Sequence, residues 1–316
     1  MKILVVGAGA VGGYFGGRLL QAGRDVTFLV RPRRAAELAQ SGLVIKSPAG
    51  DVTLRAPRTI LAEALNQPFD VVLLSCKAYD FEEAIGTFAS AVGPETVVLP
   101  LLNGLRHLDL LDRRFGAARV LGGLCVISAT LDQQRRVIHS MRLHSMTFGE
   151  RPKGISNRVH LILSAMQGAV FDVSASEAIL SEMWGKWVFL ASLAGSTTLM
   201  RATIGNICSA PDGRNFVLGL IEECRRIAET EGYEPRSTVL DRIRAQLTAT
   251  DSPLTASMYR DMERNAPIEA DHIIGDLLQR AQRRHAAGGD LPLLRLIYAN
   301  LKAYESRRAA AGLALS

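Results

Sequence analysis

Apolar residues in the first half of the chain come in short blocks separated by amphipathic stretches. Residues 3–6, 26–30, 71–75 and 96–99 are compact runs rich in valine, leucine and isoleucine, each bounded by polar or turn residues. Such runs read as strands buried on both faces, and the helical spacing of residues 11–22 supplies a crossover between the first two. Strands alternating with helices imply parallel βαβ units. Residues 42–53, with the turn Pro48-Ala49-Gly50-Asp51, read as a small surface excursion. Residues 120–129 are β-rich, 137–140 and 143–148 read as a hairpin or edge pair, 155–166 as a helix and 171–173 as a last short strand. Beyond Ser176 nearly everything to Lys302 has helical spacing. Breaks fall at Gly205, Pro211-Asp212-Gly213, Gly232, Pro253, Pro267 and Gly288-Gly289, and the alanine-rich tail after Ser306 reads as frayed. The expected fold class is α/β: a Rossmann-type dinucleotide-binding domain over 1–174, then an all-helical domain over 175–316.

Composition supports that division. With 316 residues, 48% of them hydrophobic, the chain can bury two cores. Its four cysteines, Cys76, Cys125, Cys208 and Cys224, form no Cys-x-x-Cys pair. A disulfide framework or zinc site is therefore not expected, no metal is implied, and a reducing cytoplasm suits the chain. The 37 basic and 31 acidic residues leave a net charge of +6, but the two signs are interleaved. No clustered footprint for nucleic acid results, and a moderate positive field favours small anions instead. The apolar opening breaks at glycines before it could form a signal core. The longest later run, residues 188–194, is far short of the ~20 residues of a membrane span. Apolar helices in the second half can serve as core or as a homodimer face, and the sequence leaves both open.

The first motif with chemical content is Gly7-Ala8-Gly9-Ala10-Val11-Gly12, which follows a strand directly and opens a helix. In that context the spacing is a dinucleotide fingerprint. Gly7 permits the turn, Gly9 admits the pyrophosphate, and Gly12 allows close helix–strand packing. A site for NAD usually carries a carboxylate after the second strand, to hold the ribose 2′-hydroxyl. Here the strand ends in Arg31, with Arg33 and Arg34 following. Guanidinium groups suit a 2′-phosphate, which points to NADP.

Ligands of such sheets bind beyond the carboxyl ends of the strands. Lys77 and Asn103-Gly104 occupy such positions, although a surface lysine and a simple turn would look the same. In the helical half, Lys186 lies within the apolar run Trp184-Gly185-Lys186-Trp187-Val188-Phe189-Leu190. It either snorkels to solvent or reaches a cleft, where burial would bring its pKa toward the range of an acid–base catalyst. Glu269, in Pro267-Ile268-Glu269-Ala270-Asp271-His272, can be a site carboxylate or a helix-dipole residue.

Taken in order, these segments resemble the ketopantoate reductase (2-dehydropantoate 2-reductase) family over essentially the whole chain. The resemblance rests on the glycine fingerprint, Cys76-Lys77-Ala78, Leu102-Asn103-Gly104, Trp184-x-Lys186, and Ser257-Met258-x-x-Asp261 leading to Pro267-x-Glu269-x-Asp271. It implies reduction of 2-dehydropantoate to (R)-pantoate by NADPH, a step of pantothenate biosynthesis. In that scheme Lys186 protonates the ketone oxygen and Glu269 orients the lysine or binds substrate. Asn103 and Lys77 face nicotinamide and substrate, and Ser257 contacts the substrate. Two positions depart from the family: Leu190 and Leu254 stand where asparagines are usual. The alternatives are a paralogue acting on another, more apolar 2-oxo acid, and a non-catalytic NADP-binding protein. Thr255 and Ser192 are the hydroxyls that could replace the missing amides.

Overall fold

A computed structural model describes residues 1–283 and 290–313. The expected break at Gly288-Gly289 lies outside them. The chain divides into two compact units. The first comprises residues 1–102 and 107–179, and the second residues 103–106 and 180–316.

The first unit contains β1 (Lys2–Val6), α1 (Ala10–Gln21), β2 (Asp25–Leu29), α2 (Pro32–Ser41), β3 (Leu43–Lys46), β4 (Val52–Leu54), β5 (Thr59–Ile60), β6 (Val71–Leu74), α3 (Phe81–Phe88), β7 (Val97–Pro100), α4 (Arg106–Phe115), β8 (Gly122–Leu131), β9 (Val137–Gly149), α5 (Asn157–Met166) and β10 (Asp172–Ala175). Five strands form one sheet in the order β5-β2-β1-β6-β7, and every pair in it is parallel. The order reverses between β1 and β6, so the ends of these two strands flank the crevice where doubly wound sheets bind ligands. Full burial of residues 71–74 explains the unbroken apolar run there.

A second sheet runs β10-β9-β3-β4, with β8 on β9. Two sequence-based expectations change here. The 42–53 segment is a hairpin and not a surface excursion, because Leu43 and Ile45 alternate inward and are fully buried. A Cβ on Gly17 of α1 would lie 2.7 Å from Ile45, so this hairpin packs directly on the glycine face of that helix. Likewise, residues 137–148 belong to one strand. Ile127 pairs with His144 and Ala129 with His139, so Ser128 alone opposes residues 140–143. That exposed bulge imitates a turn in the sequence. Strand β10 continues to Ala175 and the Ser176 N–H donates to the Phe148 carbonyl, and the first unit runs on to Ile179.

The second unit is helical: α6 (Ile179–Met200), α7 (Ile204–Ser209), α8 (Gly213–Thr230), α9 (Ser237–Leu247), α10 (Ser257–Glu263), a π-helical turn (Asp271–Gly275), α11 (Asp276–Arg283) and α12 (Pro292–Leu313). Helix α6 is its centre. Ser192, Thr197 and Thr198 are buried in it, and each hydroxyl donates to the carbonyl four residues back, at 2.6–2.8 Å. Buried Glu223 of α8 accepts the Leu293 and Leu294 N–H groups at 3.0 and 2.9 Å, which caps α12 with a carboxylate. Gly205 lies inside α7 and does not break it. A Cβ there would sit 2.8 Å from the Thr250 carbonyl, so glycine serves close approach. The tail after Ser306 is helical to Leu313, as its alanines favour. Among the described residues no helix is long and apolar enough to cross a membrane.

Candidate active site

In the first unit, β1 delivers the chain into the fingerprint turn. Gly7 has φ +90° and its N–H donates to the Leu29 carbonyl at 2.9 Å. Gly9 is the N-terminal cap of α1, and the Gly13 N–H closes the first turn on the Gly9 carbonyl at 2.8 Å. The amides of Ala10, Val11 and Gly12 precede any intrahelical acceptor, and the first turn carries no acidic residue. A Cβ on Gly9 would meet nothing within 4 Å, whereas one on Gly12 would lie 2.2 Å from the Gly7 carbonyl and 2.3 Å from Ser75 Oγ. Open space stands over Gly9 and dense packing under Gly12. The donors, the dipole and the clearance fit a dinucleotide pyrophosphate.

The three arginines after β2 separate. Arg31, the cap of α2, is 67% exposed, 3.2 Å from Glu83 and 3.5 Å from Asp80. Exposed pairs of this kind are worth little, about 0–1 kcal/mol, so an incoming phosphate can displace them. Arg33 is more exposed still and pairs with Glu37 at 3.2 Å. Arg34 instead turns inward, and Nε donates to the Ala8 carbonyl at 3.1 Å. The sequence alone does not distinguish its course from that of Arg31 or Arg33. Lys77 follows β6, half-buried, with its carbonyl accepting the Asp80 N–H at 3.0 Å. Since β1 pairs with β6, Lys77 and the fingerprint lie at the carboxyl ends of adjacent strands.

In the second unit the structure brings together three segments that are far apart in sequence. Lys186 is half-buried on α6 between two fully buried indoles, Trp184 and Trp187. Trp187 Nε1 donates to the Ile273 carbonyl at 2.9 Å, which fastens α6 to the π-helical turn. Glu269, half-buried, precedes that turn and its carbonyl accepts the Ile273 N–H at 3.0 Å. Such turns recur at functional sites. The Asn103-Gly104 segment sits on the same turn: Gly104 has φ +72°, and a Cβ on it would be 2.9 Å from the His272 carbonyl. Buried His272 is thus enclosed, and burial holds its basicity below the ordinary histidine value. The carboxylates of Glu269 and Asp276 and a backbone hydrogen bond with Asn103 act in the opposite sense. Asp276 also pairs with Arg280 at 3.0 Å, and that guanidinium lies 5.7 Å from the Trp187 ring.

Leu190 follows Lys186 by one turn and is half-buried. Thr197, eleven residues beyond Lys186, occupies the same face by helical geometry and its hydroxyl accepts the Ala256 N–H at 3.4 Å. Ser257 opens α10 immediately after, exposed. Leu254 is half-buried, with its carbonyl accepting the Ile204 N–H at 3.0 Å. Each candidate hydroxyl already makes one bond of its own. Ser192 Oγ donates to the Val188 carbonyl at 2.8 Å, and Thr255 Oγ1 accepts from Arg260 at 3.2 Å. His272, the Trp187–Ile273 bond and the inward course of Arg34 were not singled out from the sequence. All three depend on contacts between distant segments.

Among the described residues no group of His, Cys, Asp or Glu could hold a metal, and the four cysteines form no disulfide. Residues 3–153 match the family Ketopantoate reductase PanE/ApbA, and residues 178–305 match Ketopantoate reductase PanE/ApbA C terminal. The chain is similar to uncharacterized oxidoreductase YkpB of Bacillus subtilis (strain 168), at 38% identity over 98% of this chain and 100% of that one. It is 28% identical to a 2-dehydropantoate 2-reductase of Nostoc sp. strain PCC 7120, over 97% of this chain and 96% of the relative. The crystal structure of 2-dehydropantoate 2-reductase from Geobacter metallireducens GS-15 superposes with a TM-score of 0.85 at 25% identity, covering 96% of this chain and 99% of that one. Two family matches that together span nearly the whole chain, on a Rossmann sheet followed by a helical unit, place this protein among the oxidoreductases of the ketopantoate reductase family.

Proposed function

We propose that the protein reduces the ketone of a small anionic 2-oxo acid with NADPH, and that 2-dehydropantoate is the first substrate to test, giving pantoate for pantothenate synthesis in the cytoplasm. The observation that carries this reading is the gathering of Asn103, Glu269 and the Lys186 helix around one π-helical turn. When bound, the nicotinamide supplies a hydride to the carbonyl carbon. The oxygen then acquires alkoxide character, and the Lys186 ammonium stabilises that charge and delivers the proton. Glu269 orients the lysine and the substrate, with Asn103, Lys77 and Ser257 as further contacts. The pyrophosphate takes the amides of Gly9 to Gly12, and Arg31 exchanges its exposed carboxylates for the 2′-phosphate.

A second reading has its own observation. The side chains of Leu190 and Leu254 carry no hydrogen-bonding group, and the Ser192 hydroxyl already donates within its own helix. A more apolar 2-oxo acid suits such a wall better than one with a terminal hydroxyl. A purely cofactor-sensing role leaves Lys186 and Glu269 without a task. A panel of 2-oxo acids, followed by loss of NADPH absorbance, tests these readings. Turnover of 2-dehydropantoate far above its deoxy analogue supports the first, the reverse order supports the second, and no turnover of any 2-oxo acid refutes both.

A further inference from the structure

Arg34 is one of few buried cations in the first unit, with only about a tenth of its side chain exposed. Its guanidinium makes three separate attachments. Nε donates to the Ala8 carbonyl at 3.1 Å, Nη1 to Glu37 at 3.1 Å, and Nη2 to the Arg135 carbonyl at 3.2 Å. Arg135 lies between β8 and β9, where the Arg135 N–H donates to Asp132 at 3.0 Å and closes the turn. Arg34 therefore joins α2, the fingerprint loop and a corner of the second sheet. Glu37 balances its charge and binds Arg33 and Arg135 as well, at 3.2 and 3.3 Å. Burial holds the arginine below its ordinary pKa, with Glu37 opposing. It remains charged at any working pH, as guanidinium does.

The attachment to Ala8 matters because of peptide geometry. In a planar trans peptide the carbonyl and the next N–H point in opposite directions, and among the described residues no peptide bond is cis. A guanidinium holding the Ala8 carbonyl toward the protein thereby directs the Gly9 N–H away from it. Beside that amide, a Cβ on Gly9 itself would meet nothing within 4 Å. Without Arg34, the nearly buried Ala8 residue would also lose the partner of its carbonyl, and the loop would relax to recover one.

We propose that Arg34 is a positioning residue which sets the fingerprint loop for the pyrophosphate and takes no part in reading the 2′-phosphate. This rests on the dinucleotide-binding reading of the loop. It separates two arginines three residues apart: Arg31 distinguishes the two nicotinamide cofactors, and Arg34 serves both equally.

The test compares NADPH and NADH affinities, by fluorescence titration, for the unmodified protein, Arg34→Gln and Arg34→Lys. Thermal melts and kcat at saturating NADPH are measured alongside. Arg34→Gln is expected to weaken both cofactors by the same factor, about tenfold, the loss of one charge-assisted hydrogen bond. It should raise the KM for the cofactor while leaving kcat at saturation within about twofold. Arg34→Lys, which keeps the charge but has a single donor nitrogen in place of three, should recover part of the loss for both. Weakening of NADPH alone would make Arg34 a 2′-phosphate ligand and overturn the proposal. Unchanged affinity for both cofactors in a folded Arg34→Gln, or, should that variant fail to fold, in Arg34→Lys, would overturn it too. An unmodified protein that binds neither cofactor fails the dinucleotide reading itself, and the proposal with it.

Discussion

Two glycines of the fingerprint should respond to the same methyl group in opposite ways. On Gly12, a Cβ falls 2.2 Å from the Gly7 carbonyl and 2.3 Å from Ser75 Oγ. The serine can rotate away, giving up its 3.4 Å bond to the Val6 carbonyl. The Gly7 carbonyl belongs to the turn itself and must withdraw by about 1 Å to restore an ordinary contact. Overpacking of this kind costs about 2–3 kcal/mol, and Gly12→Ala should lower Tm by roughly 5–10 °C. On Gly9 the backbone is extended and the methyl meets no protein atom within 4 Å. The only structural cost is a poorer helix cap, below about 1 kcal/mol. The methyl does enter the space assigned to the pyrophosphate, so the Kd for NADPH should rise at least about tenfold, equivalent to roughly 1.4 kcal/mol. Thermal melts and fluorescence titration on both variants separate the two effects. A Gly9→Ala protein that binds NADPH as tightly as the unmodified one would refute the placement of the pyrophosphate, and a Gly12→Ala protein with unchanged Tm would refute the packing argument.

Three further outcomes follow from the same geometry. Arg31→Glu should abolish the preference for NADPH over NADH, by about ten- to a hundredfold in the ratio of Kd values, since it adds a carboxylate beside Asp80 and Glu83. A ratio that does not change would remove Arg31 from the site. Leu190→Asn should raise kcat/KM for 2-dehydropantoate relative to its deoxy analogue by up to about tenfold, the worth of one net hydrogen bond, measured from paired steady-state curves. For pH, burial holds His139, His144 and His272 below the ordinary value of 6.5. These groups take up protons in the unfolded chain before they do so in the native one. Their contribution to stability is therefore complete above pH 6.5 and is lost as pH falls from there through the lowered native values. Tm should decline between pH 7 and 5, and His144→Gln, which removes one of these groups, should flatten part of that decline.

The sheet, the fingerprint and the helical second half were legible because each depends on local pattern. Residues 71–74 are apolar without interruption since both faces of β6 are covered, and the glycines of 7–12 are spaced for a turn and a helix start. What the sequence hid depends on contacts between distant segments. The bulge at 140–143 interrupts the alternation of the strand and so looks like a turn, yet the ladder with β8 continues on both sides of it. Leu43 and Ile45 show an ordinary strand alternation, but only the glycine face of α1 explains why they are buried. In the site, Arg31, Arg33 and Arg34 are equivalent as letters. The fold gives two to solvent and one to the Ala8 carbonyl. Lys186 and Glu269 stand out in the sequence as candidates, but their catalytic roles come only from family resemblance, because a lysine in an apolar helix has too many ordinary explanations.

Lys186 is the residue on which the account turns. It is half-buried beside Trp187, whose hydrogen bond to the Ile273 carbonyl is independent of the lysine side chain, so Lys186→Ala should leave fold and cofactor affinity nearly intact. Loss of a general acid typically costs about 10²–10⁴ in rate. The most direct measurement is single-turnover oxidation of bound NADPH by saturating 2-oxo acid, in the unmodified protein and in Lys186→Ala. The account predicts a rate lower by at least about a hundredfold, with the Kd for NADPH unchanged within about twofold. A variant that keeps most of its rate would contradict it and leave Lys186 a structural residue.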